Sequence, residues 1–220
     1  MDYNNSAIND NNTTPTATAG APGFAADHWN SKKGQNASGS LTNVWDNSGT
    51  ATTMDVSYSM SGFSQTTYTT NSNDAVEWNQ QLFSGGVGNN TTSGTGGGTI
   101  DLTQIPYAQY TLVVYMIGRG SSYHGTLTVD GGTPLTVSAN AGTKGLTSGW
   151  YTLMDSGNSH GTYAVFTNLT GASQSVTLSA AAYHYEYISG FQVVEIPEPA
   201  TLGLLALAGL VVFPRRRRQA

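Results

Sequence analysis

Alternation of apolar and polar positions is the clearest signal in this chain. Within residues 51–60, Met54, Val56, Tyr58 and Met60 alternate with polar partners, the period-two pattern of a half-buried strand. Residues 107–118 read differently. Tyr110, Leu112, Val114 and Met116 fall on one face and Val113, Tyr115 and Ile117 on the other, so a strand here should be buried on both sides. Residues 123–129 and 133–139 flank Asp130-Gly131-Gly132, a hairpin signal because glycine accepts the positive φ of a tight turn. Residues 149–154, 161–168, 175–181 and 187–194 predict further strands. The sharpest alternation lies in Thr162-Tyr163-Ala164-Val165-Phe166 and Ser175-Val176-Thr177-Leu178. Eight or nine short strands about ten residues apart, separated by Gly and Asn turns, predict an all-β fold: a single β-sandwich or jelly-roll domain.

Three stretches break the pattern. Residues 1–23, rich in Asn, Thr, Ala and Pro, predict a flexible arm or an incomplete first strand. Residues 75–83 are compatible with two helical turns capped by Asn73 or Asp74. The glycine-rich residues 84–98 carry no periodicity and predict a loop, with regular structure resuming at Thr99.

The last two dozen residues differ in kind. Pro197-Glu198-Pro199 is followed by an uncharged apolar run, residues 200–213, then Pro214 and four arginines, Arg215, Arg216, Arg217 and Arg218. A buried helix should show polar positions at a 3.6-residue period, and residues 202–213 have none. The run is shorter than the roughly 20 apolar residues of a comfortable span, so a short, marginal C-terminal transmembrane helix is expected. The arginines would stop it on the cytoplasmic side and leave the preceding domain facing outward.

These three parts, in this order, closely resemble the PEP-CTERM sorting signal of exported bacterial proteins. The resemblance covers about the last 25 residues. It implies export, transient membrane anchoring with a cytoplasmic C-terminus, and recognition by an exosortase-type membrane processing enzyme. Cleavage would fall near Pro197, Glu198 and Pro199, with release to the cell surface or extracellular matrix. Members of that class also carry an N-terminal signal peptide. Met1-Asp2-Tyr3-Asn4-Asn5-Ser6 has neither a basic n-region nor an apolar h-region, so the true start is expected further upstream. The organisation that follows is an arm at 1–23, a β-sandwich ectodomain at 24–196 and the sorting signal at 197–220. Trp29-Asn30, residues 41–49 and the alternating strand after them also resemble a galactose-binding-like jelly roll.

Composition narrows the partners. Charged residues make up 10% of the chain, and there is no cysteine, which removes disulfides, thiolate metal sites and cysteine nucleophiles. With Glu198 and the four terminal arginines set aside, twelve acids face four bases, a net charge of −8. Nucleic acid is therefore not an expected partner, since its phosphates require clustered Lys and Arg.

No catalytic constellation emerges. The four histidines, His28, His124, His160 and His184, occupy separate segments without metal-ligand spacing, so no metal is expected. Asp74 and Glu77 read as exposed acids or a helix cap rather than a glycosidase pair. No Gly-x-Ser-x-Gly elbow occurs. Asp130-Gly131-Gly132 lacks the spaced oxygens of a calcium loop, so structural calcium has no support and no cofactor is expected. Tyr183, Tyr185 and Tyr187 sit at alternate positions around Glu186, as on one strand face. Trp29, Trp150, Tyr183 and Tyr185 are the candidate carbohydrate contacts.

The expected function is that of a non-enzymatic surface or matrix protein. The alternative is a carbohydrate-binding module for extracellular polysaccharide. A secreted hydrolase is the third reading.

Overall fold

A computed structural model of the chain describes residues 19–30, 36–65, 82, 85–118, 124–139 and 151–197. The expected helix at 75–83, Trp150, and the tail from Glu198 onward lie outside these residues, apart from Leu82. Among the described residues no helix is long and apolar enough to cross a membrane.

The described chain is all-β. In order, the strands are β1 (Ser38–Leu41), β2 (Asp55–Met60), β3 (Gly62–Gln65), β4 (Gly85–Gly88), β5 (Thr95–Thr103), β6 (Gln109–Gly118), β7 (Gly125–Val129), β8 (Leu135–Ala139), β9 (Leu153–Met154), β10 (His160–Gly161), β11 (Tyr163–Thr170), β12 (Ser173–Ala181) and β13 (Glu186–Glu195). They form a seven-stranded sheet, ordered β1-β2-β5-β12-β7-β8-β10, and a six-stranded sheet, ordered β3-β4-β13-β6-β11-β9. Neighbours are antiparallel except for the short edge pairs β8–β10 and β9–β11. The architecture is sandwich-like.

The main core lies between the sheets. Val56, Tyr58, Ile100, Leu102, Leu127, Val137, Val176 and Leu178 come from the first sheet, and Tyr110, Leu112, Val114, Met116, Ala164, Ile188 and Phe191 from the second. A second core covers the outer face of the six-stranded sheet. There Val113, Tyr115, Ile117 and Tyr187 pack against Ala19, Ala21, Ala26, Trp29 and Leu82. This explains the doubly apolar β6. Its even-numbered residues face one core and its odd-numbered residues the other.

Residues 19–23, assigned from sequence to the arm, are thus part of the packed body. Ala19 and Ala26 form an antiparallel bridge, and their amides and carbonyls exchange hydrogen bonds of 3.0 and 2.8 Å. The Tyr115 hydroxyl accepts a hydrogen bond from the Ala21 amide at 2.9 Å and donates to Gln192 Oε1. Gln192 Nε2 donates to the Phe24 carbonyl at 2.8 Å, and the Tyr151 hydroxyl accepts from the Gly20 amide at 2.8 Å. Burial pushes the Tyr115 phenol well up and the Tyr151 phenol up to about 12, so both remain neutral hydroxyls able to donate and accept. The reason this segment is not legible in the sequence is its composition. Alanine and glycine have no periodicity, yet they suit a strip lying close against a tyrosine-rich sheet.

The strands expected at 51–60, 107–118, 175–181 and 187–194 overlap β2, β6, β12 and β13. The hairpin also forms, with β7 and β8 antiparallel and Asp130 and Gly131 at φ 46° and 68°. The loop expected at 84–98 is overturned. That stretch contains β4 and the start of β5, because its glycines sit in sheet positions with no room for a side chain. A Cβ on Gly88 would stand 2.2 Å from the Glu186 carbonyl oxygen, and one on Gly98 would stand 2.0 Å from that of Ser59. Glycine here serves close strand approach, which leaves no hydrophobic alternation to read.

Candidate functional site

One cleft stands out at the end of the sheets where β2 starts and β13 finishes. Its volume is about 310 Å³, at the lower bound of ordinary ligand sites. Three stretches build it: the segment from Gly23 to Asn30, the loop around Trp45-Asp46-Asn47, and the end of β13 from Phe191 to Glu195. Pro106 and Tyr107 stand beside them.

Local hydrogen bonding fixes the loop. Trp45 and Ala51 form an antiparallel bridge. Asp46 Oδ1 accepts from the Ser48 amide at 2.8 Å, the Ser48 hydroxyl at 2.6 Å and the Thr50 amide at 3.0 Å. Gly49 completes the turn at φ 77°, where an L side chain is disfavoured. Asn30 clamps the other side. Its Nδ2 donates to the Trp45 carbonyl at 2.7 Å, and its Oδ1 accepts from the Trp45 amide at 2.8 Å. Asn47 ties the loop to the N-terminal segment, with its Oδ1 accepting from the Asp27 amide at 2.8 Å and its carbonyl 2.8 Å from His28 Nδ1.

The result is a fixed platform carrying the Trp45 indole, 37% exposed. A partly exposed indole on a rigid loop presents an apolar face at low entropic cost. Asn47, Asp46, Gln192 and Glu195 also line the cleft. The hydrogen bonds from the Ser48 hydroxyl and the Thr50 amide lower the Asp46 pKa, with a smaller pull from His28, so its carboxylate stays ionised. Burial raises the Tyr107 pKa, and the charges of Asp46 and Glu195 raise it further. The phenol therefore stays neutral.

Of the candidate contacts proposed from sequence, Trp29 and Tyr185 both belong to the second core, while Tyr183 stands in an exposed turn. Trp29 is 8% exposed, forms the inner wall of the cleft, donates from Nε1 to the Ala26 carbonyl at 3.2 Å and stands edge-on to Tyr115. Tyr183 is 57% exposed but occupies a turn at φ 61°. Tyr185 precedes β13 and is half-buried against the second core, and Tyr187 is buried in it. The expected tyrosine stripe therefore does not form. Only Tyr187 of the three lies on the strand, because the chain turns at Tyr183 and β13 begins at Glu186. Trp150 and the arginines lie outside the described residues, as do Glu198 and Pro199, while Pro197 is exposed just past β13.

Sequence reasoning gives no contact role to Trp45, Asp46, His28, Tyr107 or Glu195. One signal for them exists. Trp45 is the large apolar residue of a loop otherwise made of Asp46-Asn47-Ser48-Gly49, where no core position asks for it.

The opposite end of the sheets holds a second group. The His124 ring lies 6.1 Å from that of His160 and 6.3 Å from that of His184, centroid to centroid. Separate in sequence, these three are brought together by β7, β10 and the turn before β13. Among the described residues, no group of three His, Asp or Glu side chains is placed to hold a metal. Glu186 is fully buried nearby, its Oε2 accepting from the Ala139 amide at 3.0 Å and its Oε1 without a hydrogen-bond partner among the described residues.

No protein-family model, curated protein or solved structure matches this chain.

Proposed function

We propose that this chain is an exported, non-enzymatic protein of the cell surface or extracellular matrix, with a jelly-roll-type β-sandwich and a C-terminal sorting signal. An exosortase-type membrane enzyme would process it near Pro197-Glu198-Pro199. The order of the tail carries this reading: that motif, the uncharged run at 200–213, and Arg215 to Arg218. The position of β13 supports it, since the strand ends at Glu195 and Pro197 is exposed, leaving the start of the motif clear of the packed sheets. Intact-mass measurement on protein from the native cells should give a chain that ends near this motif. A mature protein still ending at Ala220 would sink the proposal. Replacing Glu198 should hold the protein in the membrane.

The cleft favours a second reading within the same setting, a carbohydrate-binding module. A partly exposed indole flanked by ionised and amide groups matches the two-sidedness of a sugar ring, apolar on its faces and polar at its rim. Trp45→Ala should weaken binding of the full chain to extracellular polysaccharide from the native cells by roughly tenfold or more, the usual cost of truncating an aromatic anchor. Its thermal midpoint should hardly move. Unchanged affinity in the variant, or no affinity in the parent chain, overturns the module reading, and release of reducing ends would overturn the non-enzymatic one.

A further inference from the structure

The charges around the cleft point to a class of sugar, an inference that rests on the carbohydrate-binding reading. We infer that the cleft selects glycans bearing free amino groups, in their ammonium form, over acidic glycans such as uronates.

Two carboxylates, Asp46 and Glu195, line the cleft together with the Tyr107 phenol. The hydrogen bonds from Ser48 and Thr50 to the Asp46 side chain all fall on Oδ1, so its negative charge is held in place by neutral donors. Among the described residues that line the cleft, His28 is the one basic side chain, and its Nδ1 is engaged with the Asn47 carbonyl.

A uronate entering this cleft would lose water around its carboxylate and find like charge in return, which costs affinity. An ammonium group finds the reverse. It gains a charge-assisted hydrogen bond from an acid that is already ionised and pre-oriented. The neighbouring Trp45 face adds a cation–π attraction, strongest for indole. A neutral or N-acetylated sugar keeps the stacking and loses both charge terms. The discrimination therefore comes from the acids, and the basal affinity from Trp45.

The test is calorimetric titration of the purified full chain with four probes at a pH below the amine's own pKa. They are a fully deacetylated chitosan tetrasaccharide, its N-acetylated counterpart, cellotetraose and an oligogalacturonate. The deacetylated probe should bind tightest, and added salt should weaken it, as screening requires. Asp46→Asn keeps an Oδ1 acceptor for the loop and should lower that affinity by about tenfold, the scale of one charged hydrogen bond, narrowing the gap to the N-acetylated probe. Glu195→Gln, at an exposed strand end, guards against a folding defect in the first variant and should act in the same direction. Equal or tighter binding of the N-acetylated, neutral or acidic probe overturns the inference and leaves the carbohydrate reading standing. Binding of none of the four overturns the inference, and failure to bind the native polysaccharide as well removes the reading beneath it.

Discussion

Glu186→Gln is expected to raise the thermal midpoint of the protein at about pH 8, on the order of 10 °C, and to change it little at about pH 4. Glu186 opens β13 and is fully buried, opposite Gly118 on β6. Burial raises its pKa from the usual 4.5 to about 8, against a smaller lowering by the Ala139 amide. The folded state thus prefers the neutral acid. Below the unfolded value both states are protonated and burial carries no ionisation cost. As pH rises from 4.5 toward 8, the unfolded chain releases a proton that the folded chain retains, and stability falls by about 1.4 kcal/mol per pH unit. Near neutrality the loss is about 3 kcal/mol, and it levels off above pH 8 at somewhat more. Glutamine has the same shape, keeps an acceptor for the Ala139 amide and cannot ionise, so the variant should be insensitive over this range. Melting curves of both proteins across the window check this. A gap between them that does not change with pH would rule it out.

Gly97→Ala should destabilise the fold by about 3 kcal/mol or more, while Gly131→Ala should cost only about 1 kcal/mol. Both glycines have positive φ, but 68° at Gly131 lies in the left-handed region that an L residue can adopt at modest cost, whereas 123° at Gly97 lies beyond it. Space separates them further. A Cβ on Gly97 would stand 1.9 Å from the Leu178 carbonyl oxygen, backbone that cannot rotate away, whereas one on Gly131 meets nothing within 4 Å. Gly97 lies in β5, between β2 and β12 in the seven-stranded sheet, and pairs with Ser179. Relief requires moving a central strand, and with it the register that brings Ile100 and Leu102 into the main core. Urea denaturation midpoints compare the two variants, and similar losses would refute the packing argument.

How far each element is legible follows from its packing. β6 is readable on both faces because each face meets its own core and so carries its own apolar set. β2 and β12 are readable because one buried face leaves strict alternation. β4 and the first part of β5 are not, since glycine at 86, 88, 97 and 98 answers to neighbouring backbone rather than to water. The same limit hides the cover segment: Ala19, Ala21 and Ala26 are buried, but nothing in their order separates them from the polar arm before them.

The candidate site is hardest to read. Trp29 sits in a recognisable stretch, but its ring turns inward, with its Nε1 satisfied by Ala26. Trp45 turns outward because Asn30 clamps both of its backbone groups and the loop after it closes on Asp46. Neither orientation is written in the residue types.

The sequence by itself determined the periodicities that make this an all-β chain, the lack of cysteine, the scarcity of basic residues before the tail, and the unlike character of residues 197–220. These are properties of composition and short-range order, and each survives without knowing what touches what. The tertiary structure alone decided which way Trp29 and Trp45 face, that Asp46 and Glu195 share a cleft with Tyr107, that three histidines meet, and that Glu186 is buried. Those facts depend on pairings between residues far apart in the chain, such as Glu195 with Tyr110 and Glu186 with Gly118. Sheet register sets them, and no local window of sequence contains it.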